Sequence, residues 1–327
     1  MKPPARLIAA LLTALVLAVT TACGGPDQSS DQCRAPGTVK IGSGATGGLY
    51  FALAGRLTEL LHDACISATT ITGSAAGFFR DGADVVITQT DQAYAAVSGT
   101  GGQGFQPGER FDYATLAVGW DNAGMIVTRQ STPIGKVGDL TPEDVIGVST
   151  QAAADAGAEI FRMHGVSPRM TVIEDYEQTI TALRQGQITA ILRPVAHPLA
   201  DFVRTHRDTP LRAVAFDADV LRAELAQAFP DYSLTTVRAG TYEFLTTDYP
   251  TWSRKTVVVA RKDLNPDVAA EIVRTLYERA GELAAAVPYA KDFTLDTVEA
   301  ALPSVRVPFH AGAVRYFAEH GVDVPAA

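Results

Sequence analysis

Positive charge is scarce in this chain and is nowhere gathered. It has 27 Lys and Arg against 36 Asp and Glu, a formal net charge of -9. No basic stripe runs along any segment, which excludes nucleic acid as a partner. Long apolar runs are missing after the first twenty residues. Ile188–Leu192 and Val257–Ala260 are of strand length and cannot cross a bilayer. None of the six histidines stands at metal-ligand spacing from another histidine or a cysteine, so neither a zinc site nor a cofactor is expected. No Gly-x-Ser-x-Gly elbow occurs, and no acid/base constellation is recognisable. The phosphate-loop lysine is absent, because Gly47-Gly48 runs into Leu49. These absences point to binding rather than catalysis.

The start of the chain reads as an export segment. Lys2 and Arg6 precede an apolar stretch, Leu7–Val19, and Thr20-Thr21-Ala22 place small residues before Cys23. This arrangement resembles a bacterial lipoprotein signal, with an ordinary secretory peptide as the alternative. The resemblance implies that residues 1–22 are removed and that Cys23 carries a lipid anchor, with 23–37 as a tether. Loss of Lys2 and Arg6 takes the formal charge from -9 to -11. Cys33 and Cys65 remain, in a compartment where disulfides persist. Each lies just before a strand, at Thr38 and at Ile66. If those strands are parallel neighbours, both cysteines sit at one end of the sheet and can bridge. Two free thiols are the alternative.

The mature chain of roughly 300 residues is long enough for two cores. It opens with Thr38–Gly42 as a strand, a glycine-rich turn from Ser43 to Gly48, and a helix with Leu49, Leu53, Leu57, Leu60 and Leu61 on one face. A helix start at a strand end leaves N–H groups free for an anion, and glycine lets a ligand approach the backbone. Gly42-Ser43-Gly44-Ala45-Thr46-Gly47 matches the dinucleotide fingerprint literally. However, the second strand, Ile66–Thr72, ends without the acid that a ribose requires. Ser74 caps a short helix through Arg80, Asp84–Thr88 is a third strand, and a helix follows from Ala93 to Ser98. In a parallel sheet the polar ends of these strands line one crevice.

Thr115–Trp120 and Met125–Thr128 read as strands leading into a second α/β unit. Its strands are Ile146–Ser149, Thr171–Ile173, Ile188–Leu192 and Leu211–Phe216, with helices at Ala153–His164, Tyr176–Arg184 and Ala218–Ala228. Thr256–Arg261 is a returning strand, followed by helices at Pro266–Ala286 and Ala313–His320.

These stretches together resemble one family over nearly the whole mature chain, the TAXI-type solute-binding proteins of TRAP transporters. Ile41-Gly42-Ser43-Gly44 with Gly47-Gly48-Leu49-Tyr50, Thr72-Gly73-Ser74, and Ala83–Asp91 look like its first motifs. Phe229-Pro230-Asp231-Tyr232 with Gly240-Thr241-Tyr242, and Val307–Ala313 with Glu319-His320-Gly321, are its most specific signals. The resemblance implies an α/β fold of the two-lobed periplasmic-binding-protein type (type II), with the ligand cleft between the lobes. Lobe one would be 38–128 with 256–327, and lobe two 129–255. The implied function is capture of a small carboxylate, such as an acidic amino acid or oxo-dicarboxylate, outside the cytoplasm. Delivery would be to a membrane permease driven by an ion gradient. Two departures concern the ligand. Gly77 stands where the family commonly has asparagine, and Gln151-Ala152-Ala153-Ala154-Asp155 replaces a hydroxyl-rich turn.

The candidate ligand residues are Ser43, Gly47, Tyr50, Thr72, Ser74 and Gln89 in lobe one and Arg193 in lobe two. Lobe one offers hydroxyls, amides and backbone N–H groups at its strand ends. Arg193, after Ile188–Leu192 and before Pro194, can grip a carboxylate through two parallel bonds. A ligand sensor acting through a membrane kinase, and an exported enzyme on the same fold, are the competing functions.

Overall fold

The structure is a computed structural model and describes residues 36–44, 46 and 48–327. The signal segment, Cys23, Cys33, Gly47 and all but the end of the tether lie outside the described residues. Cys65 takes part in a disulfide, and its expected partner Cys33 is among the residues outside.

The first βα series runs β1 (Gly37–Gly42), α1 (Leu49–Asp63), β2 (Ile66–Ile71), α2 (Ala75–Arg80), β3 (Val85–Gln89) and α3 (Thr90–Ser98). β1 lies between β2 and β3 and is parallel to both. β4 (Tyr113–Arg129) carries the chain into the second series. That series is β5 (Val145–Val148), α4 (Gln151–Met163), β6 (Arg169–Val172), α5 (Tyr176–Arg184), β7 (Ala190–Val195), α6 (Ala200–Asp208), β8 (Leu211–Ala213), α7 (Ala218–Ala228) and β9 (Ser233–Val237). β10 (Tyr249–Arg261) returns, and α8 (Pro266–Glu278), α9 (Ala280–Ala284), α10 (Leu295–Ala301) and α11 (Ala311–Glu319) complete the chain.

Leu53, Leu57, Leu60 and Leu61 of α1 are buried at helical spacing, as the sequence predicts. Leu49, placed on the same face by spacing, is instead exposed at the first helical residue. α3 begins at Thr90 rather than Ala93, with Gln89 in the N-cap position. The single helix expected over Pro266–Ala286 breaks at Arg279 into α8 and α9.

Two long strands organise the molecule. The sequence suggests two short strands with a polar gap between them, but β4 is one strand of 17 residues. β10 starts at Tyr249, well before the expected Thr256. Ladder pairing bridges the gap, with Asn122 opposite Arg254 and Asp121 opposite Lys255. β10 and β4 lie side by side in a continuous mixed sheet of order β2-β1-β3-β10-β4-β7-β5-β6. Buried apolar residues nevertheless form two clusters. The first includes Leu116–Val118, Trp120 and Val257–Ala260, and the second Ala123, Met125–Val127, Tyr249 and Trp252. The change of core therefore falls inside both strands.

Close packing explains one family-like motif. His310 caps α11 by accepting from Gly312 N–H at 3.1 Å. A Cβ on Gly312 would stand 2.3 Å from the Pro266 carbonyl oxygen, so only glycine lets α11 meet the start of α8.

Candidate functional site

Strand ends of the first series converge as the sequence predicts. Ser43 is fully buried, and both its N–H and its hydroxyl donate to the Ile71 carbonyl, at 3.1 and 3.0 Å. It stitches the end of β1 to the end of β2. Thr72 and Ser74 are exposed beyond β2. Ser74 accepts from Gly77 N–H at 3.2 Å and caps α2, so the predicted cap forms.

Tyr50 and Gln89 meet at the crossing strands. The Tyr50 hydroxyl lies 3.1 Å from Thr256 Oγ1 and accepts from Asn122 Nδ2 at 3.3 Å. Asn122 also donates to Thr256 Oγ1 at 2.9 Å and to the Arg254 carbonyl at 3.2 Å. Gln89 pairs with Thr256 in the ladder, and its side chain neighbours the same Tyr50 hydroxyl. Burial raises the Tyr50 pKa, with these hydrogen bonds pulling the other way, so the hydroxyl is neutral at physiological pH. The Tyr50 ring stands 6.0 Å from Trp120, which stands 6.2 Å from Tyr289. The α1 N-terminus beside Tyr50 has no side-chain cap at Gly48.

The second series presents Arg193. It lies within β7, opposite Met125 of β4, rather than after the strand. Its guanidinium stands 4.7 Å from the centre of the Tyr176 ring. Burial lowers its pKa, and the fields of Tyr176 and Asp201 act the other way. Among the described residues it forms no ion pair or hydrogen bond, and its Nε is buried without a partner. Asp155, the acid introduced near the expected hydroxyl turn, receives Gln151 Nε2 at 2.7 Å instead. Thr150 caps α4 and Asp175 caps α5, whose first residue, Tyr176, is the ring beside this arginine.

Sequence reasoning missed several residues. Asn122, Thr256 and Arg254 join Tyr50 because β4 and β10 continue through a stretch that reads as loop. The signal was the alternation Trp120, Asn122, Gly124, which places all three on one face of a strand. A buried pair also escaped notice: Arg254 Nη1 donates to Asp91 Oδ2 at 2.7 Å. Among the described residues no group of three His, Cys, Asp or Glu could hold a metal, and no helix is long and apolar enough to cross a membrane. Two surface pockets of about 160 and 170 Å³ are lined by α7 with β9 and the start of β10, and by α1 with α8; neither is lined by Tyr50, Gln89 or Arg193.

A family profile described as the NMT1-like family matches residues 41–321. The chain belongs to the NMT1-like family. No curated protein matches the sequence. Among solved structures, a TctC solute-binding protein from Polaromonas, without ligand, superposes with a TM-score of 0.51. It is 13% identical, over 81% of this chain and 88% of that one. The aliphatic sulphonate binding protein SsuA from Escherichia coli gives 0.45 at 12% identity, over 88% and 94% of the two chains. MatC from Rhodopseudomonas palustris, with bound malate, gives 0.45 at 16% identity, over 87% and 96%. Only the first is close enough to speak for the fold. The NMT1-like chain has the two-lobed α/β architecture of periplasmic binding proteins, with a curled mixed sheet.

Proposed function

We propose that this chain is the extracytoplasmic solute-binding subunit of a secondary importer of the TRAP type, in the TAXI group. Its solute is a small carboxylate, which it delivers to a membrane permease. Lipid on Cys23 would hold it on the outer face of the membrane. The lobes are placed at 38–128 with 256–327 and at 129–255, with the solute between them.

Arg193 carries this reading. A guanidinium held largely out of water, 4.7 Å from the centre of the Tyr176 ring and with no ion pair among the described residues, is expensive to keep unless something anionic comes to it. Its planar fork suits two parallel bonds to a carboxylate. Across the cleft, Tyr50, Gln89 and the uncapped α1 start supply hydrogen-bond donors without a second fixed charge. Lobe closure would then bury one anion against one cation.

Native mass spectrometry of the purified protein, followed by calorimetry with the anion that co-purifies, tests the reading. Arg193→Ala should weaken binding by roughly 2–5 kcal/mol, and Arg193→Lys should weaken it too, because the fork is lost. A neutral solute, or an Arg193→Ala variant that binds the anion as tightly as the parent, refutes the reading.

A further inference from the structure

Asp91 and Asp231 come from the first and second βα series, and both act with one guanidinium, Arg254: Asp91 through an ion pair and Asp231 through its field alone. Asp91 is the second residue of α3, and Asp231 lies in the loop between α7 and β9. Arg254 stands on β10 where the strand passes from one core to the other, and its Nη1 donates to Asp91 Oδ2 at 2.7 Å. In the same seam Thr90 Oγ1 donates to the backbone carbonyl of Asp231 at 2.8 Å, tying the start of α3 to the loop. Thr90, Asp91, Asp231, Tyr232 and Arg254 are each more than nine-tenths buried.

The two carboxyls are held unequally. Arg254 is engaged by Asp91, and no described side chain donates a hydrogen bond to the Asp231 carboxyl. Arg306 acts on Asp231 through its field and stands over the Tyr94 ring of α3 at 5.7 Å. Tyr232 faces Arg254 with its ring 6.0 Å from the guanidinium and stacks on Trp252 at 5.3 Å.

We propose that this cluster is a proton-operated latch between the lobes: a proton on Asp231 holds the seam, and loss of that proton releases it. An ionised Asp231 sets a second negative charge near Asp91 in a place with little water. Moving the loop out to solvent relieves that cost, and doing so breaks the Thr90 bond. Burial and the Asp91 charge push the Asp231 carboxyl up to about 6, while Arg254 and Arg306 pull it down. The latch therefore works in mildly acidic water. It goes beyond solute capture and is testable with no solute present.

The chain has two tryptophans, Trp120 and Trp252, so Trp120→Phe leaves Trp252 as the reporter of its stack on Tyr232. Small-angle scattering and Trp252 emission are followed from about pH 5 to about pH 7.5, with circular dichroism checking that each variant is folded. The radius of gyration should rise and the emission should change together, with a midpoint near 6. Asp231→Asn should stay compact throughout, and Asp231→Glu should keep a transition. Asp91→Asn, lacking the neighbouring charge, should move the midpoint to lower pH. A parent that is flat over this range, a transition that survives Asp231→Asn, or an unmoved midpoint in Asp91→Asn overturns the latch.

Discussion

The His197 ring bonds to the Ala123 backbone through Nε2, at 3.0 Å, at the residue where β4 enters the second core. A carbonyl only accepts, so Nε2 carries the proton. Nδ1 then accepts from the Tyr242 hydroxyl at 2.5 Å, and that hydroxyl accepts in turn from Leu199 N–H at 2.7 Å. The Nδ1 bond requires a neutral imidazole, whereas the Nε2 bond to Ala123 is open to either form and by itself favours the charged one.

The first prediction concerns pH. Burial depresses the His197 pKa from 6.5 to about 4. Between those values the unfolded chain takes up a proton that the folded chain refuses, so stability falls as pH drops from 6.5 to 4. The loss is on the order of 3 kcal/mol. Asp231 has the opposite sign. Its carboxyl is raised from 3.8 to about 6, so its contribution is present at low pH and is lost as pH rises through that value. Urea denaturation at several pH values should show the two trends opposing each other in the parent. His197→Gln should leave stability falling toward neutral pH, and Asp231→Asn should leave it falling toward acid.

The second concerns the buried ion pair. Arg254→Met strands Asp91 in a site that is 4% exposed, at a cost of about 3–5 kcal/mol. Adding Asp91→Leu should recover much of that loss, because no charge is then left alone. Chemical denaturation of the two singles and the double gives the coupling, and a double no better than the Arg254→Met single contradicts the prediction.

Gly124 offers a third test. A Cβ there would stand 2.3 Å from a ring carbon of Trp252, which is buried and stacked on Tyr232. Gly124→Ala should cost roughly 1–3 kcal/mol by overpacking. It should also change the near-ultraviolet dichroism of the tryptophan. Gly138→Ala, where nothing lies within 4 Å, is the matched control.

The fourth is a Cys33–Cys65 bridge. It closes a loop of about 30 residues, and its removal should cost on the order of 3–4 kcal/mol. Non-reducing peptide mapping should recover the two cysteines in one linked fragment; recovery of Cys33 as a free thiol defeats it.

The first series was legible in the sequence because its apolar faces are regular. Val39 and Ile41 alternate in β1, Leu53, Leu57 and Leu61 recur in α1, and Ser74 stands where a cap is needed. The crossings were not legible, for a physical reason. At Asp121-Asn122 and Arg254-Lys255 the strands leave one core and have not entered the next, so polar groups pair there, Lys255 with Asp121 and Asn122 with the Arg254 carbonyl, and the apolar alternation lapses. Arg193 was placed just past its strand because Pro194 reads as a terminator. Pro194 in fact lies in the ladder opposite Gly124. α6 was missed since only Phe202 and Thr205 of its nine residues are buried. The polar cluster at Tyr50 joins residues more than 200 positions apart, which no local pattern can announce.

Both ends of the described chain pack into the first apolar cluster. β1 starts there, and the last residues return to it, with Phe309 N–H donating to Pro325 O and Ala327 N–H to Phe309 O. The second cluster is thus an excursion of the chain, entered through β4 and left through β10. Tension drawn between the two ends of the described chain would enter and leave through the first cluster. The second would hang outside the line of force.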